Sequence, residues 1–521
     1  MTHCDVLVIG AGVAGCTAAI RAAELGADVV LAAKDEIGES NTTYAQGGII
    51  GLAHSGDSPE LLAKDIEAAG AGLCRAEAVE LLAAEGPNLC RDFLWKRVGV
   101  PFDIDPATEY PETTSEAAHR ARRIYHAKDA TGKAIQSSLA QKVAEHPNIL
   151  VLDSASLVDL VTVPHHATDP RAVYDPIQVK GAYLLEPSGE VAMVAAKRTI
   201  LATGGLGYIY LHTSNPRGAT GDGLAAAYRA SARIVNCEYV QFHPTTLFIP
   251  NQPRKLLTEA LRGEGAHLLN GDGDRFMAKF EPGEMELAPR DRVCRAMFEE
   301  MANSRSSCVY LDLSPLAAKL DLEERFPTVF HACTAAGIDP LHEMVPVVPA
   351  AHHFCGGVSV GLEGRTSLDG LFAIGEVACT GLHGANRLAS SSLLEGLLWG
   401  YRSAQAAAED CKRAPATDIS SLRHWQPVVN PVEPDPLLIE QDWSSIRTTM
   451  WNYAGIVRTR DRLRRARSDM GYLYHRIEAF YRSAPVSRPL LELRSGIICA
   501  RLILKAALQN PQSCGCHFRI D

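Results

Sequence analysis

The stretch Asp5-Val-Leu-Val-Ile-Gly10-Ala-Gly12-Val-Ala-Gly15-Cys16 decides the fold. Its apolar run, residues 6–9, is typical of a strand buried on both faces of a parallel sheet. Gly10 permits a tight turn, Gly12 lets backbone N–H groups approach a pyrophosphate, and Gly15 lets the next helix pack on the strand. The stretch therefore predicts an α/β, Rossmann-like fold that binds a dinucleotide.

The sequence that follows completes the expected unit. Residues 14–25 are predicted to form a helix that Gly26 ends, and residues 28–33 a second strand. A glycine fingerprint is weak alone but specific within a strand–turn–helix–strand unit. The acidic residue that often follows the second strand and holds a ribose is absent, since Lys34 follows Ala33.

Composition limits the possible classes of protein. The 521 residues suffice for two to four structural units, and the net charge of −10 argues against nucleic acid as a partner. No apolar run approaches the ~18–20 residues that span a bilayer, so no membrane is expected. The first strand begins too early to leave room for a signal peptide, and the scattered cysteines, such as Cys16, Cys237 and Cys333, fit reduced thiols. We therefore expect a cytoplasmic protein.

Five segments are predicted along the chain. Residues 1–238 alternate strand and helix signals, residues 239–350 form an inserted capping domain, and residues 351–412 resume the first domain, with a strand at 369–376 and a helix at 391–405. A helix is also expected at 225–232. Residues 413–436 have a proline-rich linker composition, and 437–521 show helical periodicity. The arginine run at 458–467 is interpreted as a solvated helix face with ion pairs.

Candidate substrate residues cluster in four polar segments that are expected to lie in loops, residues 241–245, 257–265, 287–291 and 350–357. The resumed first domain adds residues 384–395. Together they supply two histidines, His243 and His352, and two arginines, Arg290 and Arg387. Because each guanidinium can grip a carboxylate with two hydrogen bonds, this set suits a dicarboxylate.

No metal site is predicted. His243, His352 and His353 lack both an i,i+4 spacing and a nearby pair of carboxylates. The pair Cys514-Gly-Cys516 has no matching cysteine pair elsewhere, so a structural interpretation is favoured over a metal or redox one.

From residue 5 to about residue 518, the chain resembles the flavoproteins of the succinate dehydrogenase and fumarate reductase family. Within that family it is similar to the branch that oxidises L-aspartate. The motifs that carry the resemblance are Thr43-Tyr-Ala-Gln-Gly-Gly48, Gln241-Phe-His-Pro-Thr245, Thr258-Glu-Ala-Leu-Arg-Gly-Glu-Gly265, Pro289-Arg-Asp291 and His383-Gly-Ala-Asn-Arg387. The resemblance implies a Rossmann-like FAD-binding domain interrupted by an α+β capping domain, followed by a C-terminal helical bundle domain. One departure is Cys514, which stands where the family usually has arginine.

The resemblance also implies how FAD is held. Asn41 occupies the position of the histidine that bonds covalently to FAD in membrane-bound relatives, so the flavin is expected to be noncovalent. Glu376 is expected to bind the FAD ribose, and Ser392 and Leu393 begin a helix directed at the flavin ring. The full expected set is Gly10, Gly12, Ala14, Gly15, Lys34, Asn41, Thr42, Gln46, Gly47, Gly48, Ala202, Thr203, Gly204, Asp222, Glu376, Ser392 and Leu393.

Substrate roles follow from the same resemblance. Arg387 and His352 are expected to hold one carboxylate, and His243 and Thr258 the other. Arg290 is assigned substrate positioning and proton transfer, and Glu259 and Ser390 are added as substrate-binding residues. Glu116 is expected to face the amino group. In isolation it would be interpreted as an exposed glutamate in an arginine-rich loop.

The activity that the resemblance implies is FAD-dependent oxidation of L-aspartate to iminoaspartate. The reduced flavin would pass its electrons to dioxygen, giving hydrogen peroxide, or to fumarate, giving succinate. This is the first step of de novo NAD biosynthesis through quinolinate, which makes quinolinate synthase a candidate partner. The alternatives are a soluble fumarate reductase, a succinate dehydrogenase flavoprotein subunit, and a flavin-binding scaffold without turnover.

Overall fold

The computed structural model describes residues 2–51, 56–116, 118–415, 417–433 and 435–521. Its strands are β1 (Thr2–Ile9), β2 (Val29–Ala32), β3 (Ile49–Ile50), β4 (Thr113–Thr114), β5 (Ile124–Tyr125), β6 (Ile149–Leu152), β7 (Ser156–Val163), β8 (Gln178–Leu185), β9 (Val191–Leu201), β10 (Ile234–Val235), β11 (Val240–Leu247), β12 (Lys255–Leu256), β13 (His267–Leu269), β14 (Val309–Asp312), β15 (Val345–Phe354), β16 (Gly357–Ser359), β17 (Leu371–Ala373) and β18 (Ala378–Cys379).

The helices are α1 (Val13–Glu24), α2 (Pro59–Ala69), α3 (Ala76–Leu89), α4 (Thr131–Glu145), α5 (Asp222–Arg229), α6 (Ala260–Gly263), α7 (Met277–Phe280), α8 (Arg290–Ser304), α9 (Ser314–Ala317), α10 (Leu322–Arg325), α11 (Pro327–Thr334), α12 (Ser391–Arg413), α13 (Pro436–Ala454), α14 (Arg460–Ser483) and α15 (Arg488–Gln509). Helix α3 continues into a π-helical stretch, Cys90–Val98.

A seven-stranded sheet forms the first unit. Its order is β6-β2-β1-β9-β8-β7, and β17 also pairs with β9. The strands around β1 run parallel, whereas β7 and β8 form an antiparallel edge. Residues 6–9 of β1 are fully buried, as the apolar run predicts. The predicted α/β, Rossmann-like fold class is therefore confirmed.

The turn after β1 depends on two glycines. Gly10 has φ of +109°, and a Cβ there would lie 2.2 Å from the Ala202 carbonyl oxygen. A Cβ on Gly15 would lie 1.8 Å from the Gly10 carbonyl oxygen. A side chain at Gly10 would therefore clash with the segment after β9, and one at Gly15 would push α1 away from the turn.

A second unit lies between β9 and β17 in sequence. Its five-stranded antiparallel sheet has the order β12-β11-β15-β14-β13. Helices α8 and α11 contribute to its own apolar core, which includes Leu268, Phe276, Met297, Phe326 and Val329. Strand β15 continues through the predicted boundary at residue 350, since His353 still pairs with Gln241.

The polar segments at 241–245 and 350–357 do not lie in loops as predicted, because β11 contains the first and β15 contains residues 350–354 of the second. The polar side chains of these segments suggested exposure to solvent, but one end of the paired strands borders an internal cavity. Register shifts next to His243 let Pro244 sit within the ladder, since a bulge tolerates a missing N–H donor.

Helix α5 begins at Asp222, three residues before the prediction, because Gly221 in the left-handed region ends the preceding loop there. Helix α12 runs on to Arg413, well past residue 405. Helices α13, α14 and α15 form the C-terminal helical unit.

The proline-rich segment 413–436 packs against the first unit. Leu422 is buried and bridges to Ala167, and the Trp425 ring lies 5.5 Å from that of Tyr183. Pro434, which contributes to the linker composition, lies outside the described residues. Residues 422–425 are thus docked on the β7–β8 edge, whereas most of residues 426–433 are exposed.

The arginine run does not form one solvated face. Arg460, Arg462, Arg464, Arg465 and Arg467 are exposed on α14. Arg458, however, precedes the helix and is fully buried. It donates to the carbonyl oxygens of Gly455 and Glu238 and bonds to His517 Nδ1 at 2.7 Å, so hydrogen bonds offset part of the cost of its burial.

The thiols of Cys16, Cys237 and Cys333 are buried and free, as expected. Among the described residues, none of the helices combines the length and apolar character that a membrane span needs.

Candidate active site

One cavity joins the first unit to the second. It begins at the turn after β1 and extends to Arg290 at the start of α8. Every predicted cofactor and substrate residue except Gly15 lines it. Gly15 lies behind the turn, where its missing side chain allows the close approach described above.

The N-terminus of α1 offers a site for an anion at this turn. Its N-cap residue, Gly12, provides no side-chain cap, and the first helical turn contains no acidic residue. The first amides of the helix have no partner within it, and among them the Val13 amide donates to Thr42 Oγ1 at 3.1 Å. Unneutralised N–H groups and the positive end of a helix dipole are what a pyrophosphate needs.

Several buried polar atoms along the cavity have no partner among the described residues. They are Gln46 Oε1, Thr203 Oγ1, Asn215 Oδ1 and His353 Nε2. Buried polar atoms are nearly always hydrogen-bonded in native proteins. These atoms therefore fit a large polar cofactor that supplies the missing partners.

Glu376, which the resemblance leads us to expect at the FAD ribose, lines the cavity. Its carboxylate accepts hydrogen bonds from the Phe354 amide at 2.9 Å and from Asn41 Nδ2 at 3.3 Å. Burial raises the pKa of Glu376 to about 7, although both hydrogen bonds oppose the rise. A ribose hydroxyl that donates to this carboxylate would favour its charged form.

Lys34 is held by other residues of the protein. Its ammonium donates to the Gly218 carbonyl oxygen at 2.6 Å and to Asp222 at 2.7 Å, and it lies 3.1 Å from Glu492 on α15. Burial alone would lower the pKa of Lys34, but Asp222 and Glu492 raise it above its ordinary value. Lys34 therefore joins the cavity wall to the helical unit as a cation.

The far end of the cavity holds two guanidinium groups that share one amide. Gln241 Oε1 accepts from Arg290 Nη1 at 3.3 Å and from Arg387 Nε at 3.2 Å. Gln241 Nε2 donates to Asn386 Oδ1 at 2.7 Å and to the Arg387 carbonyl oxygen at 2.8 Å. With two donors and two acceptors in use, this buried amide has one orientation and fixes both arginines.

Glu259 balances part of the positive charge. Arg290 Nε donates to its carboxylate at 2.6 Å, and Arg262 lies 3.3 Å away. Burial would raise the pKa of Glu259, but these two guanidinium groups lower it below its ordinary value. Glu259 therefore stays ionised and positions Arg290. Arg387 is less well compensated, so burial and the nearby Arg290 lower its pKa to about 10.

The two candidate histidines face each other from neighbouring strands. His243 on β11 and His352 on β15 have ring centroids 5.1 Å apart. Burial and the nearby arginines hold the pKa of each well below its ordinary value, so both rings are neutral at pH 7. Nδ1 of His352 is engaged by Ser214 Oγ at 2.8 Å, and Nδ1 of His243 lies 3.2 Å from the Thr245 amide. Nε2 of each ring is thus the nitrogen left for a ligand.

Glu116 is buried in the cavity wall, so the exposed position that it would be given in isolation is wrong. Ser390 Oγ donates to its carboxylate at 2.6 Å. A Cβ on Gly47 would lie 2.2 Å from Glu116 Oε1, so only glycine leaves room for the carboxylate. Burial raises the pKa of Glu116, and the Ser390 hydrogen bond opposes that rise.

Sequence reasoning missed several of the residues described here, among them Arg262 and Asn386. Gln241 belongs to the motif at residues 241–245, but no function was predicted for it, although an amide beside a histidine was a usable signal. Ser214 and Asn215 carry no signal in the sequence, because they lie in an irregular loop without a recognisable pattern. Thr258, which is buried, lines the cavity as expected.

The fold and this site define a class of protein: a flavoprotein with an inserted second unit and a cavity for an anionic substrate. Residues 5–393 match the FAD binding domain family, and residues 443–521 match the family described as fumarate reductase flavoprotein C-term. The cofactor of the chain is FAD.

The particular family follows from full-length relatives. An L-aspartate oxidase of Yersinia pestis is 42% identical over 99% of this chain and 96% of its own length. One of Halobacterium salinarum is 42% identical over 100% of this chain and 97% of its own length. The chain belongs to the L-aspartate oxidase family.

Solved structures share the architecture. FrdA of E. coli quinol fumarate reductase aligns with a TM-score of 0.88 at 27% identity, over 100% of this chain and 92% of that one. Mycobacterium smegmatis Sdh1 aligns with a TM-score of 0.82 at 28% identity, over 99% of this chain and 89% of that one.

Proposed function

We propose that this chain catalyses the FAD-dependent oxidation of L-aspartate to iminoaspartate. The observation that carries the proposal is Glu116, a buried carboxylate in the same cavity as Arg290 and Arg387. The charge of two guanidinium groups suits a dicarboxylate, and the single carboxylate of Glu116 suits an ammonium group. Succinate and fumarate carry no ammonium, and Glu116 would repel them, so it selects by attraction and repulsion together.

FAD would be held by the residues at the first end of the cavity. The α1 N-terminus would bind the pyrophosphate, Glu376 the ribose, and Gln46 and Thr203 would complete their hydrogen bonds with the cofactor. Asn41 is an amide whose nitrogen donates to Glu376, and it offers no nucleophile, so the cofactor is noncovalent. When bound, FAD supplies the two-electron, hydride-accepting chemistry of the reaction.

The substrate would be oriented by the second end of the cavity. Arg387 and His352 would hold one carboxylate, His243 and Thr258 the other, and Arg290 would lie between them on the Glu259 carboxylate. Because both histidines are neutral, each can donate through Nε2 without adding charge. The two arginines supply the positive charge, and Gln241 sets their spacing.

Glu116 would also handle the proton. Aspartate carries an ammonium group, and its conversion to the protonated imine releases one hydride from the α-carbon and one proton from nitrogen. Burial makes Glu116 a stronger base than an exposed glutamate, and Ser390 holds its oxygen in place. Glu116 would therefore accept the ammonium proton while it orients the amino group. Arg290, to which the resemblance assigned proton transfer, would instead position the substrate, since its guanidinium is paired with Glu259.

The product and the electrons would have separate fates. Electrons would leave to dioxygen, giving hydrogen peroxide, or to fumarate, giving succinate. Iminoaspartate would feed quinolinate synthesis in the cytoplasm, with quinolinate synthase as the partner that consumes it. The reaction would thus open the de novo route to NAD.

One experiment separates the candidate functions. Purified holoprotein is mixed with L-aspartate or succinate without oxygen, and the absorbance of oxidised flavin is followed. Bleaching by aspartate and not by succinate is the expected result. Bleaching by succinate alone would instead assign the chain to the fumarate reductase and succinate dehydrogenase activities, whose fold it shares. No bleaching by either substrate would indicate a scaffold without turnover.

A further inference from the structure

The last turn of the described chain lies against the substrate end of the cavity. Cys516 N donates to the Ala385 carbonyl oxygen at 3.0 Å, and Cys516 Sγ donates to Asn386 Oδ1 at 3.1 Å. Gly515 has φ of +52°, and a Cβ there would lie 2.5 Å from the Ala385 oxygen. The chain at 515–516 therefore rests directly on the loop that carries Arg387.

The same turn contacts the helix that carries the other arginine. Arg295 on α8 donates to the Gly515 carbonyl oxygen at 3.3 Å, and α8 begins with Arg290. Behind the turn, Arg458 bonds to His517, and His517 Nε2 lies 3.0 Å from the Asn510 carbonyl oxygen. The turn is thus anchored to the helical unit on one side and to both arginine-bearing elements on the other.

We propose that Cys516 is a positioning residue of the active site, which fixes Gln241, and through it Arg290 and Arg387, by donating its thiol hydrogen to Asn386 Oδ1. Asn386 Oδ1 accepts from both Cys516 Sγ and Gln241 Nε2, so the thiol holds the oxygen that orients the amide. A rotated Asn386 would present its NH2 group to Gln241 Nε2, and the amide would lose its fixed orientation.

The thiol suits this role in two ways. Cys516 is buried, and burial raises its pKa well above the ordinary value, so it keeps its hydrogen at neutral pH. Asn386 and Arg387 are also buried, so water does not readily replace a lost donor.

The test is the substitution Cys516→Ala in holoprotein, beside Cys516→Ser, which keeps a hydrogen-bond donor. Loss of one buried hydrogen bond is expected to raise the KM for L-aspartate about three- to tenfold, with a smaller change in kcat. Cys516→Ser should restore KM to within about twofold of the original protein. Cys411→Ala is the matched control, since that thiol has the same 6% exposure and donates to the Asp5 carbonyl oxygen far from the cavity.

A KM for Cys516→Ala within twofold of that of the original protein would overturn the proposal. An equal rise of KM in Cys516→Ser or Cys411→Ala would overturn it as well. The proposal rests on the proposed function, and a binding assay keeps the two apart. Succinate is titrated against the visible absorbance of the oxidised flavin in the same four proteins. If aspartate is not oxidised at all, the proposed function fails, while weaker succinate binding in Cys516→Ala alone still supports the positioning role.

Discussion

The carboxylate of Asp129, in the first unit, caps a helix of the second unit at Thr328. It accepts from the Thr328 amide and from Thr328 Oγ1, both at 2.8 Å, and Asp129 is buried. Asp129 precedes α4 in the first unit, whereas Thr328 lies in the first turn of α11 in the second. The cap therefore joins the two units that form the cavity.

Substituting Asp129→Ala should weaken this junction. Removing a helix cap lowers the free energy of unfolding by about 0.5–2 kcal/mol. Because this cap joins the two units, its removal should also let the units move relative to each other. We expect a KM for L-aspartate at least about threefold higher and a modest fall in melting temperature. The measurements are steady-state kinetics and thermal unfolding.

The control for Asp129 is Asp321, which caps α10 from within the second unit through the amides of Glu323 and Glu324. Asp321→Ala should lower stability comparably and leave KM unchanged. An equal rise of KM in both variants would show that the Asp129 cap has no special role between the units.

Glu116→Gln should separate the two substrates. The variant loses the charge that pairs with an ammonium group, a hydrogen bond worth about 1.5–3 kcal/mol, so kcat/KM for aspartate should fall about 10- to 100-fold. Fumarate reduction should persist or improve, since the repulsion is removed. Exposed Glu112→Gln is the control. Equal losses with both substrates would reject the amino-group role.

FAD affinity should depend on pH through Glu376. Its pKa is raised to about 7 by burial, and a ribose hydroxyl prefers the ionised carboxylate. Affinity should therefore be constant above pH 7 and fall about tenfold for each pH unit below it. Fluorescence titration of apoprotein with FAD measures this. Glu376→Gln should bind more weakly at pH 8 and show no such slope, and a slope that survives would assign the titration to another group.

The neutral histidines should make the protein sensitive to acid. His243 and His352 have pKa values well below 6.5 when folded, mainly because of burial, whereas the unfolded chain takes up protons near pH 6.5. Their contribution to stability is complete above pH 6.5 and is lost as the pH falls. The free energy of unfolding should drop by about 1.4 kcal/mol per pH unit for each histidine.

Urea denaturation between pH 5 and 7 tests this slope. His243→Asn should reduce the slope of the free energy of unfolding with pH by about the contribution of one histidine. His424→Asn, at an exposed position, should leave this slope unchanged. An unchanged slope in His243→Asn would mean that this ring is already protonated in the folded protein.

Sequence patterns predicted the cofactor end of the site better than the substrate end. The turn around Gly10 is local, so strand, turn and helix follow from a dozen neighbouring residues. The polar segments around His243 and His352 were assigned to loops, because a polar strand that faces an internal cavity looks like a solvated turn. In the folded protein these polar side chains face a cavity between the two units and not solvent. Only the fold shows where that cavity lies.

Contacts between distant residues were also beyond prediction. Cys516 meets Asn386 across 130 positions, and Arg458 is buried by partners from Glu238 to His517. Neither is encoded by a periodicity or a motif. Glu116 looked like an exposed glutamate when considered alone, and its burial depends on Gly47 and Ser390, which come from two other segments.

The pairing of β9 with β17 has a consequence for how the chain folds during synthesis. Thr199 pairs with Leu371, so the cofactor-binding sheet lacks a strand while the whole second unit is being translated. At about 5–20 residues per second, that interval is on the order of 10–30 s. The second unit has its own apolar core and can fold during this time, whereas residues 199–201 of β9 lack their β17 partner. The end of β9 that borders the cofactor turn therefore acquires its last neighbour only after residue 373 has been synthesised.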